Sequence, residues 1–138
     1  VGLLPAMELE AGEETVRLIP AWTGNPHGVV FCEDPEAVAL EHMGPLLEHH
    51  PALGERINVE FAVCPDESSL YLRVWERGSG ITLACGTGAC ACFAAARREG
   101  MCRERVLARL PGGALSLEER SGRVWMTGPA HRVFEGEI

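Results

Sequence analysis

Hydrophobic and polar positions alternate along much of this chain. Alternating or continuously apolar runs predict strands at Thr15–Ile19, Gly28–Cys32, Ile57–Cys64, Leu70–Glu76, Arg105–Leu110, Ala114–Glu118, Arg123–Thr127 and His131–Glu135, several of them with the two-residue period. Within Leu70–Glu76, for example, Leu70, Leu72 and Val74 fall on one face, as a half-buried strand requires. Two stretches break the period. Asp34-Pro35 offers an acidic cap followed by Pro at a first helical position, which predicts a helix to about Met43. Gly44-Pro45 should end that helix before a second short turn. The stretch Thr87–Glu99 is dominated by Ala and Cys and predicts a second helix, stopped by Gly100. The order β-β-α-β-β-α-β-β-β-β makes the fold α+β. We expect a mixed or antiparallel sheet of about eight strands wrapped on a central Ala-rich helix, whose small side chains allow close approach. No linker, repeat or low-complexity tract interrupts residues 1–138, so one domain is expected.

Composition narrows the chemistry. The chain has 138 residues, with twelve basic side chains against twenty acidic ones and a net charge of -8. All the basic side chains are Arg; Lys and Gln are absent. A Schiff-base lysine, a pyridoxal-phosphate anchor and a phosphate-loop lysine are thereby excluded. The acidic balance argues against nucleic acid or an anionic membrane surface as partner. No apolar run approaches the ~18 residues of a membrane span, and Val1-Gly2-Leu3-Leu4-Pro5 lacks the pattern of a signal peptide. A first residue other than Met leads us to expect a processed chain or a fragment. The cysteines stand at 32, 64, 85, 90, 92 and 102 without a C-x-x-C, and none of the His residues pairs with them at metal-ligand spacing, so no metal site is expected. Reduced thiols and a cytoplasmic location are the corresponding expectation.

The richest segment runs from Glu76-Arg77 through Gly78-Ser79-Gly80 to Cys85-Gly86-Thr87-Gly88. It reads as a strand ending in an acid and a base, a Gly-rich loop, and a Cys at a helix N-terminus. Free N–H groups there stabilise a thiolate, drawing a pKa of about 8.5 toward roughly 3.5–7.5. Gly86 and Thr87 would leave room for a ligand carboxylate on the same N–H groups. The bland alternative is a buried Cys capping a helix, with glycines needed only for the turn. A third reading, a dinucleotide fingerprint in Gly86–Ala91, lacks the acid that should close the following strand.

Asn25 and Asn58 are the only Asn residues, and both stand at strand edges. Asn25 suits paired hydrogen bonds to a carboxylate or an ammonium group, and His27 suits the tuning of a nearby titratable group. Each also has an ordinary reading as a turn residue. Cys32, Cys64, Cys90, Cys92 and Cys102 are expected to pack as small apolar side chains. His49-His50 reads as a solvated turn, Trp75 and Trp125 as core, and Trp22 as a site wall.

Together, Gly24–Phe31, Met43–Pro51, Arg56–Phe61, Glu76–Ala91 and the ending Gly128-Pro129-Ala130 with Val133–Ile138 closely resemble the diaminopimelate epimerase family, from about Ala21 onward. The resemblance implies a pyridoxal-independent isomerase without cofactor, interconverting LL- and meso-diaminopimelate on the route to lysine and peptidoglycan. It implies that one Cys removes the α-proton as thiolate while another, on the opposite face, returns one as thiol. Cys85 matches the family's second catalytic Cys. Asn25, Asn58, Glu76, Arg77, Gly86 and Thr87 match its substrate-binding positions, and His27 and Glu76 match residues that adjust the thiols.

Members of that family are about twice this length, in two pseudo-symmetric halves. The resemblance puts the other Cys in a Cys-Gly-Asn-Gly context in the first half, a motif missing here. The chain therefore resembles the C-terminal half alone, is expected to need the N-terminal half as partner, and is expected to be inactive by itself. Two alternatives stand beside this reading: a cofactor-independent racemase of another amino acid on the same fold, and a non-catalytic carboxylate-binding unit that forms a homodimer.

Overall fold

The computed structural model describes residues 1–138. Its strands are β1 (Gly2–Leu3), β2 (Met7–Ala11), β3 (Glu14–Trp22), β4 (Pro26–Phe31), β5 (Asn58–Val63), β6 (Ser69–Glu76), β7 (Gly80–Thr82), β8 (Arg105–Leu110), β9 (Gly113–Arg120) and β10 (Arg123–Thr127), with helices α1 (Leu40–Glu48) and α2 (Gly86–Arg98). They form one mixed sheet in the order β1-β3-β4-β5-β6-β8-β9-β10, with β2 added on β3 and β7 on β6.

Two neighbouring pairs are parallel, β4 with β5 and β6 with β8; the other pairings are antiparallel. A parallel pair needs a crossover, and α1 lies in the first and α2 in the second. Because β5 and β6 run antiparallel, the two crossovers are traversed in opposite senses. The same right hand then puts the helices on opposite faces of the sheet. The cores agree: Ile19, Val29, Ala62, Leu72 and Val74 pack with Phe93 of α2, whereas Leu18, Val30, Val59 and Phe61 pack with Leu40, Met43 and Leu47 of α1. β4 and β5 are thus apolar on both faces because both faces are covered.

Helix α2 lies where expected. Its last turn closes through Met101 N–H to Ala96 O (2.9 Å) and Gly100 N–H to Arg97 O (3.2 Å), with Gly100 at φ +72. That double bond across a left-handed residue is why the helix stops there.

Three expectations are corrected. Asp34 caps only a 3-10 turn, Pro35–Ala37, and Gly44-Pro45 lies inside α1 instead of ending a helix. Leu40, Met43, Gly44 and Leu47 share one face against the sheet, and this packing overrides the local breaking tendency of Gly-Pro. The segment His131–Glu135 forms no strand: Val133 and Phe134 stand 88% and 84% exposed, with no neighbouring strand to supply a ladder. Trp125 is 52% exposed beneath the Arg120 guanidinium and is not core. The strands β1, β2 and β7 were not anticipated. In β2, Glu8 and Glu10 separate Met7, Leu9 and Ala11, and a two-residue turn with Gly12 at φ +63 returns the chain into β3.

Candidate functional site at one end of the sheet

Strand directions gather the chemistry. β4 and β5 are parallel with His27 opposite Asn58, so their N-terminal ends coincide. β6 runs the other way, with Val59 opposite Trp75, so its C-terminal end, Glu76-Arg77, arrives at the same place. The hairpin into β7 reverses at Gly78 (φ +81), and the chain enters α2 at Cys85 on this side. Sequence separations of up to 62 positions, from Asn25 to Thr87, thus collapse onto one sheet end. The site includes Asn25, His27, Asn58, Glu76, Arg77, Cys85, Gly86 and Thr87.

Cys85 is the N-cap of α2. Its Sγ accepts from the Gly88 N–H at 3.4 Å and lies 3.6 Å from Thr87 Oγ1. The N–H groups of Gly86 and Thr87 have no partner within the chain. These are orphan donors of a helix start, positioned for an anionic group. The thiol's resting state differs from expectation. Burial pushes the Cys85 thiol up; the Thr87 hydroxyl and Gly88 N–H oppose this, and the carboxylates of Glu60 and Glu76 reinforce it. Burial, which the local segment does not show, outweighs the helix end. Cys85 therefore rests as a thiol. Alkylation of Cys85 by iodoacetamide, followed by mass spectrometry, should keep accelerating as pH rises through 9.0, the ordinary thiol value. A rate already on its plateau at neutral pH would contradict this resting state.

The other side chains are held firmly. Asn58 is buried; its Oδ1 accepts the Arg77 N–H at 2.8 Å and its Nδ2 donates to Pro26 O at 3.2 Å. It ties β4 to the end of β6 and keeps one amide hydrogen free. Glu76 accepts from Thr82 Oγ1 at 3.0 Å, and the exposed Arg77 guanidinium donates to Arg56 O at 3.4 Å. Asn25 Oδ1 receives Thr23 Oγ1 at 2.9 Å and His27 Nε2 at 3.1 Å. Trp22 walls an open depression of about 520 Å³ that also contains Thr23, Gly86, Thr87, Arg123 and Met126.

His27 touches a titratable group that sequence reasoning passed over. Its Nδ1 stands 2.6 Å from Oε1 of Glu60. Glu60 is fully buried, and a Cβ on Gly88 would meet its Oε1 at 2.7 Å. Gly88 is thus a glycine because the helix start sits directly on this carboxyl. The only signal in the sequence was a lone acid inside the apolar run Ile57–Val63. The dinucleotide reading of Gly86–Ala91 falls with the same geometry, since β7 before α2 is an antiparallel hairpin strand.

Behind the site, the Trp75 indole N–H donates to Glu48 Oε1 at 2.9 Å, and Arg56 pairs with the same carboxylate. Of the remaining cysteines, Cys92 and Cys102 are buried, while Cys32, Cys64 and Cys90 are half-buried; all six are free thiols. No helix is long and apolar enough to cross a membrane.

Comparison with known proteins identifies the family. A family model described as diaminopimelate epimerase matches residues 21–133. The diaminopimelate epimerase of Nostoc punctiforme is 48% identical over 135 residues, covering 96% of this chain and 48% of the relative. That of Phocaeicola vulgatus is 52% identical over 117 residues, covering 83% of this chain and 42% of the relative. The chain spans about half the length of the curated relatives it matches. Among solved structures, a hydroxyproline epimerase from Agrobacterium vitis superposes with a TM-score of 0.59 at 16% identity, over 88% of this chain and 43% of that one. A PhzF-family phenazine biosynthesis protein of Bacillus anthracis gives 0.53 at 20% identity, over 74% of this chain and 33% of that one. These two likenesses establish the fold.

Proposed function

The chain belongs to the diaminopimelate epimerase family, and from that premise we propose that it supplies one of the two thiols of a cofactor-independent epimerase acting on diaminopimelate. The other thiol comes from a second, N-terminal half of the protein, facing the open side of the Cys85 site. The observation that carries the reading is Cys85 Sγ at the cap of α2, beside the unpartnered N–H groups of Gly86 and Thr87.

The substrate α-carboxylate sits on those N–H groups, which brings the α-carbon beside Cys85. A thiolate on the opposite face takes the α-proton, and the electron pair left on carbon delocalises into the carboxylate. The helix N–H groups stabilise the charge that grows there. Cys85, resting as a thiol, gives its proton to the α-carbon and becomes the thiolate. The configuration inverts, the net charge is unchanged, and the two sulfurs have exchanged roles. Arg77, Asn25 and Asn58 are the groups available for the distal amino-acid end.

A panel comparison tests the substrate. With the chain joined to its N-terminal half in D2O, deuterium should enter the α-carbon of diaminopimelate faster than that of histidine, proline or glutamate. Faster entry into any of those three would replace this reading with a racemase of that amino acid.

A further inference from the structure

His27 and Glu60 form a pair without exposed side-chain surface, packed between the sheet and α2. The pair is one end of a chain of hydrogen bonds: Glu60 Oε1 to His27 Nδ1 (2.6 Å), Nε2 to Asn25 Oδ1 (3.1 Å), and Thr23 Oγ1 onto the same oxygen (2.9 Å). The other Glu60 oxygen, Oε2, is buried with no hydrogen-bond partner within the chain. We propose that Glu60 is a positioning residue for the site. The proton it shares with His27 keeps a hydrogen on Nε2, and this turns the carboxamide of Asn25 so that its NH2 group faces the cleft, as a donor for a carboxylate oxygen.

An ionised carboxylate with one oxygen buried and unpaired by the protein is costly. A carboxylic acid strands only a carbonyl lone pair. Burial accordingly pushes Glu60 up, against the opposing influence of His27 and with reinforcement from Glu76. Glu76 on β6 and Cys85 and Cys92 on α2 are the other titratable groups facing it. The pair therefore holds two protons in all, one of them between Oε1 and Nδ1. Whether that one belongs to the acid or to an imidazolium, Nε2 must carry its own hydrogen and needs an acceptor, the oxygen of Asn25. The Thr23 hydroxyl donates to the same oxygen, in agreement. The Asn25 NH2 group makes no hydrogen bond within the chain, and its turn borders the depression at Gly86 and Thr87. The reverse arrangement, an ionised Glu60 with a single imidazole proton on Nδ1, would make Nε2 an acceptor. Asn25 would then turn its oxygen outward, an ammonium site. One buried proton decides which ligand group this position takes.

Naming the ligand group as part of an amino acid rests on the proposed function; the proton arrangement does not. Nitrogen-15 NMR of the His27 imidazole in the 138-residue chain tests it without substrate. Nε2 should show the protonated form. Glu60→Gln, whose amide N–H still donates to Nδ1, should keep that form, and Glu60→Met should lose it to a mixture of tautomers. Acetate should shift the Asn25 side-chain NH2 resonances in the parent chain and in Glu60→Gln, and methylammonium should not. An unprotonated Nε2 in the parent, an unchanged single form in Glu60→Met, or a shift with methylammonium alone would overturn the proposal. Failure of the epimerase reading would instead appear as missing turnover, with this spectrum intact.

Discussion

Replacing Cys85 by Ala in the chain joined to its N-terminal half is expected to lower the rate of epimerisation by about 10³-fold or more, equivalent to roughly 4 kcal/mol of barrier. The size follows from what the thiol does. Without it the α-carbanion has no proton donor on its Cys85 face, and water must deliver the proton into a site shaped for sulfur. The fold should survive. The substitution removes the sulfur that accepts the Gly88 N–H, a cap contact of about 1 kcal/mol at most for so long a bond (3.4 Å). Inversion and exchange should also separate. The remaining thiolate on the other face can still remove and return a proton on its own side. Deuterium should therefore continue to enter one stereoisomer without inversion. Loss of both processes together with a lowered melting temperature would mean that Cys85 serves the structure only.

The second large effect concerns stability. Gly44 lies on the face of Trp75: a Cβ there would stand 2.3 Å from Cδ2 and 2.4 Å from Cγ. Those atoms are at the base of the ring, and the ring is held at its other edge by the bond from Nε1 to Glu48 (2.9 Å). The indole cannot swing aside without breaking that bond, so α1 must lift. We expect Gly44→Ala to cost about 3 kcal/mol in overpacking. Better helix propensity offsets about 1 kcal/mol. The overpacking term wins, and the net loss of about 2 kcal/mol should lower the melting temperature by about 8 °C. Because Trp75 precedes Glu76-Arg77, the same change should weaken the site. A melting temperature equal to or above the parent's would show that the helix yields more easily than this contact implies.

These two residues also mark what a sequence reader could and could not see. Cys85 was legible because its neighbours, Gly86 and Gly88, and the Ala-rich run after it spell a helix start from local chemistry alone. Asn25 and Asn58 were legible through their scarcity and their places at strand edges. Gly44 was misjudged: Gly-Pro breaks a helix locally, but the packing of α1 on the sheet carries the helix through it, and Trp75, far along the chain, explains why the residue there is Gly. Glu60 was missed for the same kind of reason. A Glu in a strand ordinarily faces water, and its burial follows from β5 being covered on both faces, with His27 on β4 as its partner. The expectation of a thiolate at Cys85 failed because the helix N-terminus is a local feature, whereas the burial that pushes the thiol up comes from the packing of distant strands, with the Glu60 and Glu76 carboxylates adding to it. His131–Glu135 failed in the opposite direction: it has strand-like residues but no strand beside it.

We propose that this chain carries one thiol of a two-thiol site. The most direct measurement is deuterium incorporation at the α-carbon of diaminopimelate in D2O, made on the 138-residue chain alone and again on the chain joined to its N-terminal half. No inversion is expected from the chain alone, and inversion with deuterium at the α-carbon is expected from the joined protein. Inversion by the chain alone, lost in Cys85→Ala, or none by the joined protein, would contradict the proposal.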